Sequence, residues 1–207
     1  MNRQRPFTFC LLVGVLAVLV GCVGEAPPVA KSPDKNEAKV QFTNVLGGTY
    51  SLPGPGDCKA VVLLFWGHDC PISNAYAPEI TRLCKEFSPK GIAFCVVYAD
   101  ADLTAEEAHK HAKDYGCTCP AILDSKMSLA LKVGATIKPE AAVLSPKGEL
   151  LYLGRIDDIY ADFGKRRSQP TCRELKDALD AILAGKAITV ARTKAIGCYI
   201  DFPEKKK

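Results

Sequence analysis

Two stretches in the body of the chain are apolar runs: "AVVLLFW", Ala60 to Trp66, and "GIAFCVVYAD", from Gly91 up to the closing Asp100. Runs this short, rich in Val and Leu and lacking polar alternation, predict strands covered on both faces of a sheet. Helical spacing follows each. In "AYAPEITRLCKEF" the apolar positions are Tyr76, Ile80, Leu83, Cys84 and Phe87, which fall on one helical stripe. "LTAEEAHKHAKDYG" opens on Thr104 with Glu107 three residues later, the pattern of a capping box. Upstream, "VQFTNVLGGTYSLPG" reads as two short strands around a Gly47-Gly48 turn. Downstream, "AAVLSPKGELLYLGRI" reads as a β-hairpin turning at Pro146, Lys147 and Gly148. "TCRELKDALDAILAG" is a last amphipathic helix stopped by Gly185. There is no internal repeat. Alternation early and a hairpin plus helix late predict an α/β sandwich, a central mixed sheet flanked by helices.

The N-terminus has a different pattern. A charged "MNRQR" precedes an apolar "PFTFCLLVGVLAVLV", of signal-peptide length and short for a spanning helix. "LVGC", Leu19 to Cys22, resembles the lipobox of bacterial lipoproteins. That resemblance implies a signal peptide over residues 1–21 and a lipid anchor on Cys22. Two or more acyl chains give stable anchoring where one does not. Residues 22–39, rich in Pro, Lys, Glu and Ala, read as a flexible tether. The folded domain is expected over 40–186, with a C-terminal extension over 187–207. The expected location is the bacterial cell envelope, on the extracytoplasmic (periplasmic) side, where disulfides persist.

Composition adds limits. A chain of 207 residues, 48% hydrophobic and 24% charged, suits one globular domain. A net charge of +4, two of it from Arg3 and Arg5, gives no case for nucleic acid. Lys205 to Lys207 read as a solubilising end. Of ten cysteines, the lipobox resemblance implies that Cys10 leaves with the signal and Cys22 carries lipid. The other eight cannot be paired from sequence. Cys84 and Cys95 fall on apolar faces and read as core filling.

Cys70 lies between the first apolar run and its helix, in "FWGHDCPISNAYAP". Unpaired N–H groups and the helix dipole favour an anion there, and thiolate is the reactive form of cysteine. The segment resembles the thioredoxin active site: Phe65 and Trp66 match the strand end, Cys70 the attacking cysteine, and Ala77-Pro78 the Ala-Pro that kinks the active-site helix. In "GATIKPEAAVL", Pro139 before a strand resembles the cis-proline loop that faces that cysteine. The longer spacing between the two resembles the redoxin branch, the alkyl hydroperoxide reductase/thiol-specific antioxidant proteins and membrane-anchored thioredoxin-like reductases. The resemblance covers about Val40 to Gly185 and implies a thioredoxin-like fold with Cys70 as a redox nucleophile.

The departures shape the expected chemistry. Ser73 stands where C-x-x-C has its second cysteine, Asp69 replaces a tryptophan, and Leu64 replaces the buried acid that serves the missing thiol. Gly67 and Leu63 stand where a peroxiredoxin carries threonine and proline. Ser73 reads as a cap for backbone N–H groups, compatible with a hydrogen bond to the Cys70 thiolate. Two cysteines are candidates to resolve an adduct on Cys70: Cys198, on the apolar tail "TVARTKAIGCYIDF", and Cys119, in the Cys117-Thr118-Cys119 C-x-C. The C-x-C itself reads as a redox pair, half of a soft-metal site or inert packing; His109 and His111 do not share a helix face to complete a metal site, and no metal or cofactor is expected. Gly154 to Thr171 reads as a solvated loop with surface ion pairs, or as a partner-docking loop. The reading is a lipid-anchored thiol–disulfide oxidoreductase acting on a thiol- or disulfide-bearing protein or small molecule. Its rivals are a thiol peroxidase and a non-catalytic module that binds a partner or copper.

Overall fold

The computed structural model describes residues 40–52 and 57–203. The signal segment, Cys22, the tether and the closing lysines lie outside the described residues.

The chain enters as a hairpin, β1 (Val40–Thr43) and β2 (Thr49–Leu52), turning at Gly47 and Gly48, both at positive φ. Next come β3 (Ala60–Phe65), α1 (Pro71–Ala75), α2 (Ala77–Phe87) and β4 (Ile92–Tyr98). Then follow α3 (Ala105–Asp114), β5 (Ala121–Leu123), α4 (Ser128–Val133), β6 (Ile137–Lys138) and β7 (Glu140–Leu144). The chain closes with β8 (Leu150–Gly154), β9 (Tyr160–Asp162), β10 (Lys165–Arg166), α5 (Glu174–Leu183) and β11 (Cys198–Tyr199).

Five strands make the central sheet in the order β5-β4-β3-β7-β8. β3, β4 and β5 are parallel, and β7 and β8 are antiparallel to their neighbours. This is the expected mixed sheet, in a thioredoxin-like α/β fold. The unbroken apolar runs have a simple cause. On β3, Val62 and Leu64 face a core built with Ile80 and Leu83 of α2 and Leu175 and Leu179 of α5. Val61, Leu63 and Phe65 face a second core with Leu129 and Val133 of α4. Both sets are buried because both faces are covered.

The helix after β3 is split. Pro78 has no N–H to return to the Asn74 carbonyl, so the ladder breaks around Tyr76 and α2 restarts at Ala77. The capping box on α3 is complete, with the Glu107 N–H donating to Thr104 Oγ1 at 3.2 Å and the Thr104 N–H to Glu107 Oε2 at 3.0 Å. Thr104→Ala is expected to cost about 0.5–2 kcal/mol; urea unfolding checks this, and an unchanged midpoint would contradict it. α4 is too short to carry a readable period. Its first turn is fixed by Asp124, whose carboxylate accepts from the N–H groups of Ser128 and Leu129 at 2.9 and 2.8 Å.

The Gly154 to Thr171 loop is solvated, as expected, over residues 161–169, but its base is not. Asp157 and Asp158 are buried. Asp157 accepts from the Tyr76 hydroxyl at 2.8 Å, and Asp158 from the N–H groups of Thr171 and Cys172. Arg155 pairs with Glu174 on α5. These charges act as internal struts, with β9 and β10 forming a small exposed hairpin above them.

The tail docks along the domain. The Leu153 N–H donates to Ala191 at 3.0 Å, Tyr199 and Cys198 pair with Ile137 and Lys138, and the Ile200 N–H donates to Thr136 at 2.9 Å. Ile200 is buried in the second core.

Candidate active site

β3 ends at Phe65, and the chain crosses Trp66 and Gly67 before Cys70 caps α1. The cap is the thiol itself: Cys70 Sγ accepts from the Ser73 N–H at 3.5 Å. Ser73 caps no N–H of its own helix. Its hydroxyl accepts from the Gly67 N–H at 3.2 Å, which holds the loop closed. The same hydroxyl helps to lower the Cys70 thiol. The protonated Cys70 thiol donates to the Lys138 carbonyl at 3.2 Å. Lys138-Pro139 is a cis peptide bond, and this step presents that carbonyl to the sulfur.

β11 brings a second thiol to the same point. Cys198 Sγ lies 2.6 Å from Cys70 Sγ. Gly197 makes the approach feasible: a Cβ there would meet the Lys138 carbonyl carbon at 2.7 Å and Pro139 Cδ at 3.0 Å. Cys70 is 0% exposed, beneath the tail, and Cys198 is partly exposed. Burial pushes the Cys70 thiol up, but hydrogen bonds from the Cys198 thiol and from the Ser73 N–H and hydroxyl outweigh it, so the net shift is downward. Burial, and then the Cys70 sulfur beside it, push Cys198 up to about 12. The shared proton therefore belongs to Cys198.

Trp66 packs under this site. Its ring stacks on Tyr98 at 6.1 Å and meets His111 edge-on at 4.8 Å. His111 is clamped between the Tyr98 hydroxyl at 2.8 Å and Asn74 Oδ1 at 3.0 Å, and Asn74 Nδ2 donates to the His68 carbonyl at 3.0 Å. Burial, then His68, hold the His111 imidazole below its ordinary value, favouring the neutral ring. Lys138, Asn74, His111 and Gly197 thus belong to the site but carry no sequence signal of their own. Asn74 lies inside the quoted active-site segment and Gly197 precedes Cys198, and these are the nearest hints.

Cys119 is elsewhere. With Cys84 it lines a cavity that Cys70 does not border. Among the described residues, no group of three or more His, Cys, Asp or Glu side chains is placed to hold a metal ion.

A buried cysteine at the N-terminus of a helix thus faces a cis-proline loop at the edge of a thioredoxin-like sheet. Residues 29–153, more than half of the chain, match the model of the AhpC/TSA family, and the chain belongs to that family. Among solved structures it is similar to a hypothetical protein from Sinorhizobium meliloti 1021, with 22% identity and a TM-score of 0.71 over 81% of this chain and 93% of that one. It is also similar to an uncharacterized conserved protein from Geobacillus kaustophilus, with 24% identity and a TM-score of 0.70 over 81% and 90% of the two chains. No curated protein matches.

The pH dependence of alkylation should separate the two thiols. Below its midpoint Cys70 gains rate as pH rises, and that midpoint should lie below that of a free cysteine. Cys198, at about 12, should stay slow through neutral pH. Cys198→Ala removes a donor and should move the Cys70 midpoint upward. Mass spectrometry of both peptides across pH checks this, and a Cys198 midpoint below that of Cys70 would reverse the assignment.

Proposed function

We propose that the protein is a thiol–disulfide oxidoreductase whose working pair is Cys70 and Cys198. One observation carries the reading: the Cys70 and Cys198 sulfurs lie 2.6 Å apart. The Cys70 thiolate attacks one sulfur of a substrate disulfide, that S–S bond breaks, and the departing thiolate takes a proton. Cys198 gives up its proton and attacks the Cys70 sulfur, releasing the second substrate thiol. The pair loses two electrons and the substrate disulfide gains them. Since Cys70 is covered by the tail, the short β11–β6 pairing must open for a substrate to enter.

Ser73 and Pro139 serve the pair by position, and Trp66 supports the loop. The N-terminal segment supports a lipid anchor at Cys22 and a place on the extracytoplasmic side of the membrane, facing thiol- or disulfide-bearing substrates. The thiol peroxidase reading is weaker. A Cβ on Gly67, where a peroxiredoxin has its threonine, would meet Cys70 Cβ at 2.9 Å, so this loop cannot hold that side chain without moving. The test is to measure reduction of a disulfide-linked peptide and turnover of hydrogen peroxide with the same thiol donor. Peptide reduction that depends on Cys70, well above peroxide turnover, is the expected result; the opposite ranking would make this a peroxidase.

A further inference from the structure

A second group of thiols lies at the other end of the sheet. Cys84, on α2, has its sulfur 3.6 Å from Ser88 Oγ. Cys119 lies in the connection between α3 and β5, where Cys117 Sγ donates to its carbonyl at 3.5 Å. Cys84 and Cys119 line a cavity of about 400 Å³, together with Cys58, Thr118, Ile92 and Phe94. Ile92 begins β4, whereas Cys70 follows the far end of the parallel strand β3. At ~3.3 Å per residue, the length of β4 sets the two thiol groups roughly 20 Å apart.

We propose that Cys84 and Cys119 form a second dithiol site, separate from Cys70 and Cys198, which exchanges with small-molecule disulfides entering this cavity. The geometry sets the substrate class. Both thiols are buried, and a cavity of this volume matches small-ligand sites of roughly 300–1,000 Å³. Burial of both sulfurs favours a small disulfide over one carried on a folded protein surface.

The environment assigns the roles. A hydrogen bond from the Cys119 thiol, opposed by burial and helped by the Ser88 and Thr118 hydroxyls, brings Cys84 down to about 6. The neighbouring Cys117 and Cys84 thiols, and then burial, push the Cys119 thiol up. Cys117 is also lowered by Cys119, but it donates to the Cys119 carbonyl and does not line the cavity. Cys95, which fills the other core without a thiol partner, shifts the opposite way because burial dominates. Simple packing therefore does not produce the Cys84 environment.

The Cys84 thiolate attacks one sulfur of R–S–S–R, forming a Cys84–S–S–R bond and expelling RS⁻. Cys119 passes its proton to that thiolate and attacks the Cys84 sulfur, expelling the second RS⁻, which is protonated from solvent. One dithiol and one disulfide become one protein disulfide and two small thiols.

The test uses the full chain carrying Cys70→Ser and Cys198→Ser, with bis(2-hydroxyethyl) disulfide as probe and acid quenching before peptide mapping. The expected product is a Cys84–Cys119 disulfide with release of two mercaptoethanol molecules. Adding Cys119→Ser should stop the reaction at a mixed disulfide on Cys84. Alkylation of Cys84 should rise less than about twofold from pH 6.5 to 8, against about 25-fold for an ordinary thiol. Mapping the unsubstituted chain repeats the measurement without reliance on any variant. An unmodified Cys84 while exposed Cys172 reacts, a Cys117–Cys119 bond instead, or a tightly held copper(I) ion that blocks Cys84 would each overturn the proposal. Because the first pair is absent, failure here leaves the Cys70–Cys198 reading standing, and the reverse also holds.

Discussion

Cys70→Ser is expected to abolish disulfide turnover at the first site, a loss of about 10³-fold or more, because a serine hydroxyl is a weak nucleophile at neutral pH and makes no S–S bond. The fold should survive. Sulfur to oxygen is a small change in volume, and the partners around the sulfur, the Lys138 carbonyl and the Ser73 N–H, suit a hydroxyl as well. Cys198→Ser should behave differently. Attack by Cys70 is retained and resolution is lost, so a mixed disulfide on Cys70 accumulates and turnover comes to depend on added thiol. Cys172→Ser, at an exposed position away from the site, is the matched control. Assay of a disulfide peptide with mass analysis of the enzyme distinguishes these outcomes. Full turnover by Cys70→Ser removes the nucleophile assignment. Turnover by Cys198→Ser at the unsubstituted rate without added thiol places the resolving sulfur elsewhere.

What the sequence revealed follows the range of the interactions. The placement of Cys70 at a strand-to-helix junction is encoded within Phe65 to Pro78, where an apolar run ends and a helix with an early proline begins. The mixed sheet was legible for the same reason: each strand announces its burial in its own residues. Cys198 reaches Cys70 through pairing of β11 with β6, some sixty residues apart, and only Gly197 beside it hints at a close approach. Cys84 shows the converse. Its helical spacing correctly marks a buried face, but what occupies that face is set by Cys119 on another element. Asp157 and Asp158 misled because charge predicts solvent unless a partner is known, and their partners, Tyr76 and Thr171, are fixed only by the tertiary fold. His111 was legible as a helix residue but not as the clamp between Tyr98 and Asn74, which needs three elements assembled.

Gly197→Ala should uncouple the two steps at the first site. Its Cβ would meet the Lys138 carbonyl group and the Pro139 ring, with the carbonyl carbon at 2.7 Å and Cδ at 3.0 Å. Both belong to the cis-proline step and neither is a flexible side-chain end, so β11 must leave β6. Little holds it: two paired residues, the Ile200 N–H bond to Thr136, and burial of the Ile200 side chain. That burial is worth about 1.5–3 kcal/mol. Lifting the tail should expose Cys70, otherwise fully covered, and raise its alkylation rate about 10- to 100-fold at a pH where it is ionised. The same change removes the Cys198 proton donor, so the Cys70 midpoint should move upward and narrow the gain near neutral pH. Resolution should suffer most, because the sulfurs can no longer meet at 2.6 Å. Attack should therefore become faster, formation of the Cys70–Cys198 bond slower, and the mixed disulfide should accumulate even with Cys198 present. Stopped alkylation and peptide mapping on the same samples read both steps. If Gly197→Ala closes the Cys70–Cys198 bond as fast as the unsubstituted protein, pairing of β11 with the cis-proline loop is not what delivers the second thiol.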